Sequence, residues 1–513
     1  MNRKVIIGSR GSDLALWQAN HVKKQLFELD INSEIQVIKT KGDVIKDLSF
    51  DKIEGKGFFT KEIEEALLNH SIDLAVHSHK DLETNPPKGL VVAAVSEREN
   101  PSELLLIRKE KVDNTKFWSL KQGAVVGTSS SRRKSQMLLF RNDVKLKELR
   151  GNVPTRIQKL RDGHYDAIII AFAGVARLNL DVSDLFSVKL SKNWLIPAPA
   201  QGVLGIQVRE GDLELIEALK NINSSETQRN IEFERKVLNL LNGGCQLPLG
   251  VYCETENDTI KSWVSMASSF NDIPFRLYKE GSSPEQIVEQ LISEKSKSNK
   301  VLITRELTQD SLFLRLLEKQ RFEVDGQSLI QIEFLKKQIS GDFDWIFFNS
   351  SNAVESCANQ VSKMMSIKIG AMGTSTALKL KEKGLDVDFI GKGSPENVAE
   401  DFSKTLGNQK VLFPVSDKSI GTIQKKIHPD QLLELVTYKN NAKSIQLKNY
   451  DVIVFTSPSN VYSFFNCHKL SDEKVVAIGL STEKALKDNG VNEVVVSWES
   501  SELALADAVS SLN

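Results

Sequence analysis

Two strand-to-helix turns of this sequence each carry a pair of arginines. Val126-Gly-Thr-Ser-Ser-Ser runs straight into Arg132 and Arg133, and Arg150-Gly-Asn-Val-Pro-Thr-Arg156 repeats the arrangement at the next such turn. The first turn of a helix already presents unpaired backbone N–H groups and the positive end of its dipole. A cation there works against the dipole by ~0.3–1 kcal/mol, and a bound anion offsets that cost. Guanidinium forks grip carboxylate or phosphate through two parallel hydrogen bonds, which lysine cannot copy. The pattern predicts a site for anionic groups where α/β proteins bind ligands, at the carboxyl ends of strands. Lys145, Lys147 and Lys159 read instead as solvated surface charge.

An acid and a thiol complete the reactive inventory. Asp73-Leu-Ala-Val-His-Ser-His-Lys-Asp81 runs off a strand into a turn, which puts Lys80 and Asp81 at the same kind of position. One carboxylate in an arginine-lined cleft stabilises a cationic intermediate and handles protons; the bland reading is an Asx turn ahead of Pro86-Pro87. His77 and His79 alternate along the strand and share a face, but no third ligand is evident and no metal is expected. Asn242-Gly-Gly-Cys245-Gln-Leu-Pro sets a cysteine on a glycine-rich loop just past a helix. It is either a buried apolar cysteine or, because glycines admit a bulky group close to the backbone, an attachment point or nucleophile.

The elements that must position these residues read as an α/β alternation. Strands are expected at Val5–Ser9, Ile35–Thr40, Ile72–His77, Ala124–Thr128, Lys145–Leu149 and Ala167–Ala171. Helices are expected at Asp13–Leu29, Phe59–Leu68, Ser131–Arg141 and Thr155–Arg161. Strands spaced by helices argue for mainly parallel sheets. A long helix, Glu226–Leu241, ends at Gly243-Gly244, and strand-like runs at Gly250–Cys253 and Ile260–Ala267 suggest a small α+β module. Ser293-Glu-Lys-Ser-Lys-Ser-Asn-Lys300 is the best linker. The alternation then restarts with Val301–Thr304, a helix near Leu307–Lys319, Trp345–Phe348, Ala353–Ser362 and Ile367–Met372. Trp345-Ile-Phe-Phe-Asn-Ser-Ser-Asn-Ala-Val echoes Val452-Ile-Val-Phe-Thr-Ser-Pro-Ser-Asn-Val, which suggests two similar lobes.

Composition narrows the function classes. The chain has 513 residues, too many for one core, with 67 Lys+Arg against 67 Asp+Glu. A globally basic nucleic-acid coat is excluded. The balance is an average: Lys121 to Arg177 holds twelve basic residues and four acidic ones. Nucleic acid is the rival ligand for that stretch, but only Phe140, Tyr165 and Phe172 are there to stack on bases. The four cysteines are too few and scattered for a disulfide framework, and the N-terminus reads as a strand rather than a secretory signal. No apolar run spans a membrane, so a cytoplasmic chain is expected, with no nucleic-acid or membrane partner.

Taken together, residues 3 to 295 resemble hydroxymethylbilane synthase, also called porphobilinogen deaminase. The segments are Ser9-Arg-Gly-Ser-Asp-Leu-Ala-Leu-Trp-Gln-Ala, Gly55-Lys-Gly-Phe-Phe-Thr-Lys-Glu, Ala75-Val-His-Ser-His-Lys-Asp, Gly127-Thr-Ser-Ser-Ser-Arg-Arg, Leu149-Arg-Gly-Asn-Val-Pro-Thr-Arg, Pro199-Ala-Gln-Gly and Gly243-Gly-Cys-Gln-Leu-Pro. The resemblance implies three domains (1–98 with 200–222, 99–199, and 223–295), the first two like a type II periplasmic binding protein. It implies a dipyrromethane cofactor on Cys245 through a thioether, to which porphobilinogen units add with loss of ammonia until hydroxymethylbilane, a linear tetrapyrrole, is released. Asp81 would stabilise the pyrrole nitrogens and the methylene-pyrrolenine cation, with Lys80 beside it. Each added unit brings an acetate and a propionate. Arg10, Ser12, Lys52, Lys56, Ser78, Lys80, Thr128, Ser130, Arg132, Arg133, Arg150, Arg156 and Arg177 match family positions that hold those carboxylates. Asp13, His79 and Ser131 depart from the family pattern without touching the acid, the thiol or the arginine pairs.

Residues 300–513 are similar to uroporphyrinogen-III synthase in Val301-Leu-Ile-Thr-Arg, Phe347-Phe-Asn-Ser-Ser-Asn-Ala-Val, Val436-Thr-Tyr-Lys, Phe455-Thr-Ser-Pro-Ser-Asn-Val and Ala477-Ile-Gly-Leu-Ser-Thr. That resemblance implies two α/β lobes hinged near residues 335 and 470, cyclising the bilane with inversion of its last ring. Tyr438 matches a tyrosine proposed to assist loss of the hydroxyl, and Ser457, Ser481 and Thr482 would offer hydroxyls to carboxylates. A monomer acting on small molecules is expected. Two other readings stay open: a deaminase with a non-catalytic C-terminal partner domain, and a periplasmic-type anion-binding protein without chemistry.

Overall fold

Side-chain caps fix where the helices after the predicted turns begin. In the computed structural model, which describes residues 3–40, 60–242, 247–293, 299–364, 366–392, 395–419, 421–443 and 445–512, Ser12, Ser130, Asn152 and Ser224 each accept a hydrogen bond from a first-turn backbone N–H. The helices that follow are Asp13–Glu28, Ser131–Phe140, Val153–Arg161 and Ser225–Leu240. Two expected elements move. The second strand is Ser33–Val37, and the helix expected from Leu307 begins at Leu312, capped by Ser311.

The chain divides into two compact units: Met1–Ser298 with Gln309–Phe322 and Ser501–Asn513, and Asn299–Thr308 with Glu323–Ser500. Both are mixed α/β. The first unit holds two five-stranded sheets of the same topology. One runs Ser33–Val37, Val5–Ser9, Leu74–Ser78, Leu204–Arg209, Leu90–Val95; the other runs Lys145–Lys147, Val125–Gly127, Ala167–Ala171, Glu103–Ile107, Phe186–Leu190. In each, the first three strands are parallel and the last two pairings are antiparallel. For this unit the expectation of mainly parallel sheets is corrected, while the second unit meets it. Leu204–Arg209 and Glu103–Ile107 are the strands at which the chain arrives from the other sheet. A strand entering that way is not held parallel, as a strand–helix–strand return would hold it.

A third, antiparallel sheet (Leu249–Glu256, Thr259–Met266, Phe275–Glu280) packs one face against the helices Ser225–Leu240 and Pro284–Ile292, around Phe233, Val237, Val251, Val264, Leu277 and Ile287. The helices Leu312–Lys319 and Glu502–Ser510, which the sequence alternation places in the second half, belong to this first unit and pack on each other and on the strand Phe275–Glu280.

The second unit has an all-parallel sheet (Glu323–Gly326, Lys300–Ile303, Val452–Phe455, Lys474–Ala477, Val495–Val496) and a six-stranded one (Ile330–Phe334, Leu432–Ala442, Val411–Ser416, Trp345–Phe348, Lys368–Ala371, Phe389–Ile390). The sequence echo corresponds to a shared strand–helix–strand–helix run. Trp345–Phe348 leads through Ser351–Val361 and Lys368–Ala371 to Thr374–Glu382, and Val452–Phe455 leads through Pro458–Cys467 and Lys474–Ala477 to Leu480–Asp488. The chain passes between the two sheets at 327–329 and returns at 443–451. The second crossing is therefore not near residue 470. The polar stretch there joins the helix Pro458–Cys467 to the next strand of the same sheet.

Candidate active site

The strand Leu74–Ser78 is buried over its apolar residues and ends in one 3-10 turn, His79–Asp81. That turn is held from two sides. His79 N–H donates to the Val203 carbonyl at 2.9 Å, and Arg235, on the helix Ser225–Leu240, donates to the carbonyls of His79 and Leu82 (3.2 Å each) and of Glu83. Asp81 is exposed. Lys80 is partly buried and donates to Gln201 Oε1 at 3.2 Å. Burial, together with Arg133 and Arg132 nearby, lowers the Lys80 ammonium to about 8, despite Asp81 and Glu103. Burial also pushes His77 to about 4 and His79 to about 3, so both imidazoles are neutral at pH 7. His77 Nε2 lies 3.2 Å from Gln207 Oε1. Among the described residues no three His, Cys, Asp or Glu side chains gather as a metal site.

Arg132 and Arg133 are buried rather than presented at the surface, and they share one carboxylate. Glu103, at the start of the strand Glu103–Ile107, is fully buried, with Arg132 Nη2 at 2.6 Å and Arg133 Nη2 at 2.7 Å. Arg132 Nη1 also donates to the Ile196 carbonyl (2.8 Å) and Arg133 Nη1 to the Ile169 carbonyl (3.1 Å). Burial alone would raise the Glu103 carboxyl, but the two guanidiniums hold it at about 2. Gln201 completes the cluster: its Nε2 donates to Glu103 Oε1 (3.1 Å) and its Oε1 accepts from Lys80.

Arg150, Arg156, Thr128 and Ser130 adjoin this cluster. Arg156 donates to the Gly151 carbonyl at 2.7 Å; burial and the neighbouring cations Arg133 and Arg150 lower it to about 10, with Asp81 opposing. Five cations (Lys80, Arg132, Arg133, Arg150, Arg156) thus gather near Asp81 and Glu103, and Glu148 also faces Arg150. Thr128 and Ser130 stand at the same turn, where Ser130 N–H donates to Thr128 Oγ1 at 3.3 Å. Ser78 accepts from Gln18 at 2.8 Å, and Ser12 caps its helix. Arg177 lies over the Trp17 ring at 5.7 Å and donates to the Gly202 carbonyl; burial lowers it to about 10. Arg10 is close enough to His77 to oppose its protonation. Lys52, Lys56 and Cys245 lie outside the described residues.

In the second unit, Tyr438 is buried and its hydroxyl lies 3.0 Å from Ser350 Oγ, itself the cap of the helix Ser351–Val361. Ser457 caps the echoing helix Pro458–Cys467. Ser481 is exposed, whereas Thr482 is buried with a hydroxyl that has no hydrogen-bond partner among the described residues.

Residues 5–217 match the family model "Porphobilinogen deaminase, dipyromethane cofactor binding domain", and 229–273 match "Porphobilinogen deaminase, C-terminal domain". A porphobilinogen deaminase of Carboxydothermus hydrogenoformans is 42% identical over 315 residues, 61% of this chain and 99% of that one. The chain belongs to the porphobilinogen deaminase family. A porphobilinogen deaminase of Maridesulfovibrio salexigens is 45% identical over 54% of this chain and 89% of its own. Residues 311–507 match a further model, "Uroporphyrinogen-III synthase HemD", so the deaminase is fused to a synthase-family region. Uroporphyrinogen-III synthetase of Helicobacter pylori 26695 aligns with 42% of this chain and 100% of its own at 17% identity and a TM-score of 0.33, too low a likeness to bear on function.

Sequence reasoning missed three residues of this deaminase's candidate site. Glu103 opens an apolar strand, Ser-Glu-Leu-Leu-Leu-Ile, and its sequence neighbours give no sign of its partners. Arg235 is one charge among several on a helix. Gln201 sits inside the quoted Pro199-Ala-Gln-Gly segment, which was the one available signal.

Proposed function

We propose that the chain runs two consecutive steps of tetrapyrrole synthesis: a deaminase builds hydroxymethylbilane from porphobilinogen with release of ammonia, and a uroporphyrinogen-III synthase cyclises it with inversion of the last ring. The observation that carries the first step is the crowd of five cations around Glu103 and Asp81. These cations share Asp81, Glu103 and Glu148, and among the described residues Arg133 Nε is buried with no hydrogen-bond partner. Such a cluster fits a ligand that carries several carboxylates.

The dipyrromethane group, joined to Cys245 by a thioether, supplies when bound the pyrrole carbon to which porphobilinogen is coupled. Arg132, Arg133, Arg150, Lys80, Ser78, Thr128 and Ser130 hold its acetates and propionates. Arg10, Ser12, Lys52, Lys56, Arg156 and Arg177 hold those of incoming and added units. Asp81, exposed at the end of a turn that Arg235 and Val203 fix, presents a carboxylate to pyrrole N–H groups and to positive charge developing as ammonia leaves. Gln201 keeps the Lys80 ammonium beside it.

The two sheets of common topology are read as type II periplasmic-binding-protein-like domains, 1–98 with 200–222 and 99–199, followed by a cofactor-carrying domain at 223–295. In the synthase-family region Tyr438 assists loss of the hydroxyl, and Ser457, Ser481 and Thr482 face carboxylates. The chain is read as a cytoplasmic monomer. The deciding experiment supplies porphobilinogen to the purified chain and identifies the product isomer. Type III uroporphyrinogen supports both activities, type I alone reduces the second half to a non-catalytic partner, and no turnover overturns the reading.

A further inference from the structure

Arg276 lies on the strand Phe275–Glu280, at the edge of the third sheet, and its side chain is 1% exposed. Its partner comes from the far end of the chain. Asp507, on the helix Glu502–Ser510 and also 1% exposed, takes Arg276 Nε at 3.1 Å on one oxygen and Nη2 at 3.0 Å on the other. The remaining donors of the guanidinium go to two consecutive carbonyls: Nη1 to Trp194 at 2.9 Å and Nη2 to Asn193 at 2.7 Å.

Those carbonyls belong to the crossing that carries the chain from the second sheet back to the first. Two residues further on, Ile196 is locked to the arginine-bearing helix. Its carbonyl accepts from Arg132 Nη1 (2.8 Å) and Gln136 Nε2 (2.9 Å), and its N–H donates to Gln136 Oε1 (2.7 Å). The crossing is also tied to the third sheet, where Val251 N–H donates to the Pro197 carbonyl at 3.1 Å. Buried and part-buried polar contacts, joined by the backbone from 194 to 196, therefore lead from Asp507 through Arg276 to Arg132 and Glu103. The C-terminal helix is tied down along its length: Gln290 donates to the Ser510 carbonyl, Lys279 donates to that of Ser511, and Glu502 accepts from Ser311.

We infer that Asp507, in the segment matched by the synthase model, is a positioning residue for the deaminase: through Arg276 and the 193–196 crossing it sets the place of Arg132. The inference rests on the reading that Arg132 holds the carboxylates of the growing chain. A bidentate partner fixes the orientation of a guanidinium fork as well as its charge, so asparagine cannot replace the carboxylate. The fusion is on this view interlocked, because the deaminase uses a residue from the end of the segment that the synthase model matches.

The test uses the full chain. Asp507→Asn, Asp507→Glu and Arg132→Gln are assayed for porphobilinogen consumption at a temperature where circular dichroism shows each folded. Networks of this kind transmit up to about tenfold in rate. For Asp507→Asn the expected result is kcat lower by about tenfold with KM within about twofold, because held carboxylates rather than substrate capture are disturbed. Asp507→Glu is expected to recover most of the rate. Should Asp507→Asn not fold, the double variant Arg276→Met/Asp507→Leu removes both buried charges together, and the same fall in kcat is expected because the carbonyls of 193 and 194 lose their donor. Wild-type kcat in folded Asp507→Asn, or in the double variant, overturns the inference. Wild-type turnover in Arg132→Gln instead overturns the reading of the arginine pair on which it rests.

Discussion

Each oxygen of the Glu103 carboxylate receives one arginine, Arg132 at 2.6 Å and Arg133 at 2.7 Å, with all three side chains out of water. Adjacent guanidiniums repel, and the shared carboxylate lets both stay buried at one helix start. Glu103→Gln leaves two buried cations with a neutral partner, and the expected loss of stability is about 3–5 kcal/mol. Its pH signature follows from the depressed carboxyl. The stabilisation is fully present above the ordinary value of 4.5 and is lost as pH falls toward about 2. Urea midpoints measured from pH 7 down to pH 2 should fall more steeply in the wild type than in Glu103→Gln.

Lys80 gives the opposite limb. Burial brings its ammonium down to about 8, so the charge that faces carboxylates is lost as pH rises through that value. Porphobilinogen turnover should decline above about pH 8, and Lys80→Arg, which stays charged, should move that decline upward. Stability moves the other way. With the folded value below the unfolded 10.5, the unfolded chain holds the extra proton between the two, so the fold gains stability as pH climbs from about 8 to 10.5. A rate that falls while the melting temperature does not separates the titration from unfolding.

The local rules carried the sequence reading a long way. Serine and asparagine caps, β-branched runs and the glycine turns placed most elements within a few residues, because those signals act over one helical turn or one strand. What they could not place is set by long separation. Arg132 meets Glu103 across 29 positions, Arg98 meets Glu234 across 136, and Arg276 meets Asp507 across 231. Each pair has a fully buried carboxylate or guanidinium, and neither member's neighbours in sequence point to the other before the sheets assemble. The mixed direction of the first two sheets was hidden for the same reason: strand direction depends on where the chain crosses between sheets, not on the residues of the strand.

Cys245 falls in the sequence between the helix Ser225–Leu240 and the strand Leu249–Glu256. If it carries the primer, the intact mass of the purified chain exceeds that of its sequence by two pyrrole units, and Cys245→Ser shows the bare mass with no turnover. Full activity in Cys245→Ser would remove the thioether from the mechanism.

Asp81 is exposed and makes little contribution to the core, so Asp81→Asn should leave the denaturation midpoint within about 0.5 kcal/mol of wild type. A preorganised charge directed at a developing cation typically contributes ~10²–10³ in rate. Turnover of porphobilinogen should fall by that factor at pH 7 with little change in KM, because the carboxylate acts on the reacting centre rather than on the acetate and propionate arms.

Tyr438 occupies a different balance. Its hydroxyl lies 3.0 Å from Ser350 Oγ, while Ser350 also accepts the Ala353 N–H that caps the next helix. Removing the hydroxyl in Tyr438→Phe leaves that cap in place, so the structural cost is about 1 kcal/mol. A proton delivered to the departing hydroxyl contributes far more, on the order of 10²-fold. With hydroxymethylbilane supplied directly, Tyr438→Phe should form type III uroporphyrinogen about a hundredfold more slowly, and type I should accumulate from spontaneous closure. A variant that melts lower but keeps the wild-type rate would make the tyrosine a strand residue and shift the chemistry to the helix starts at Ser350 and Ser457.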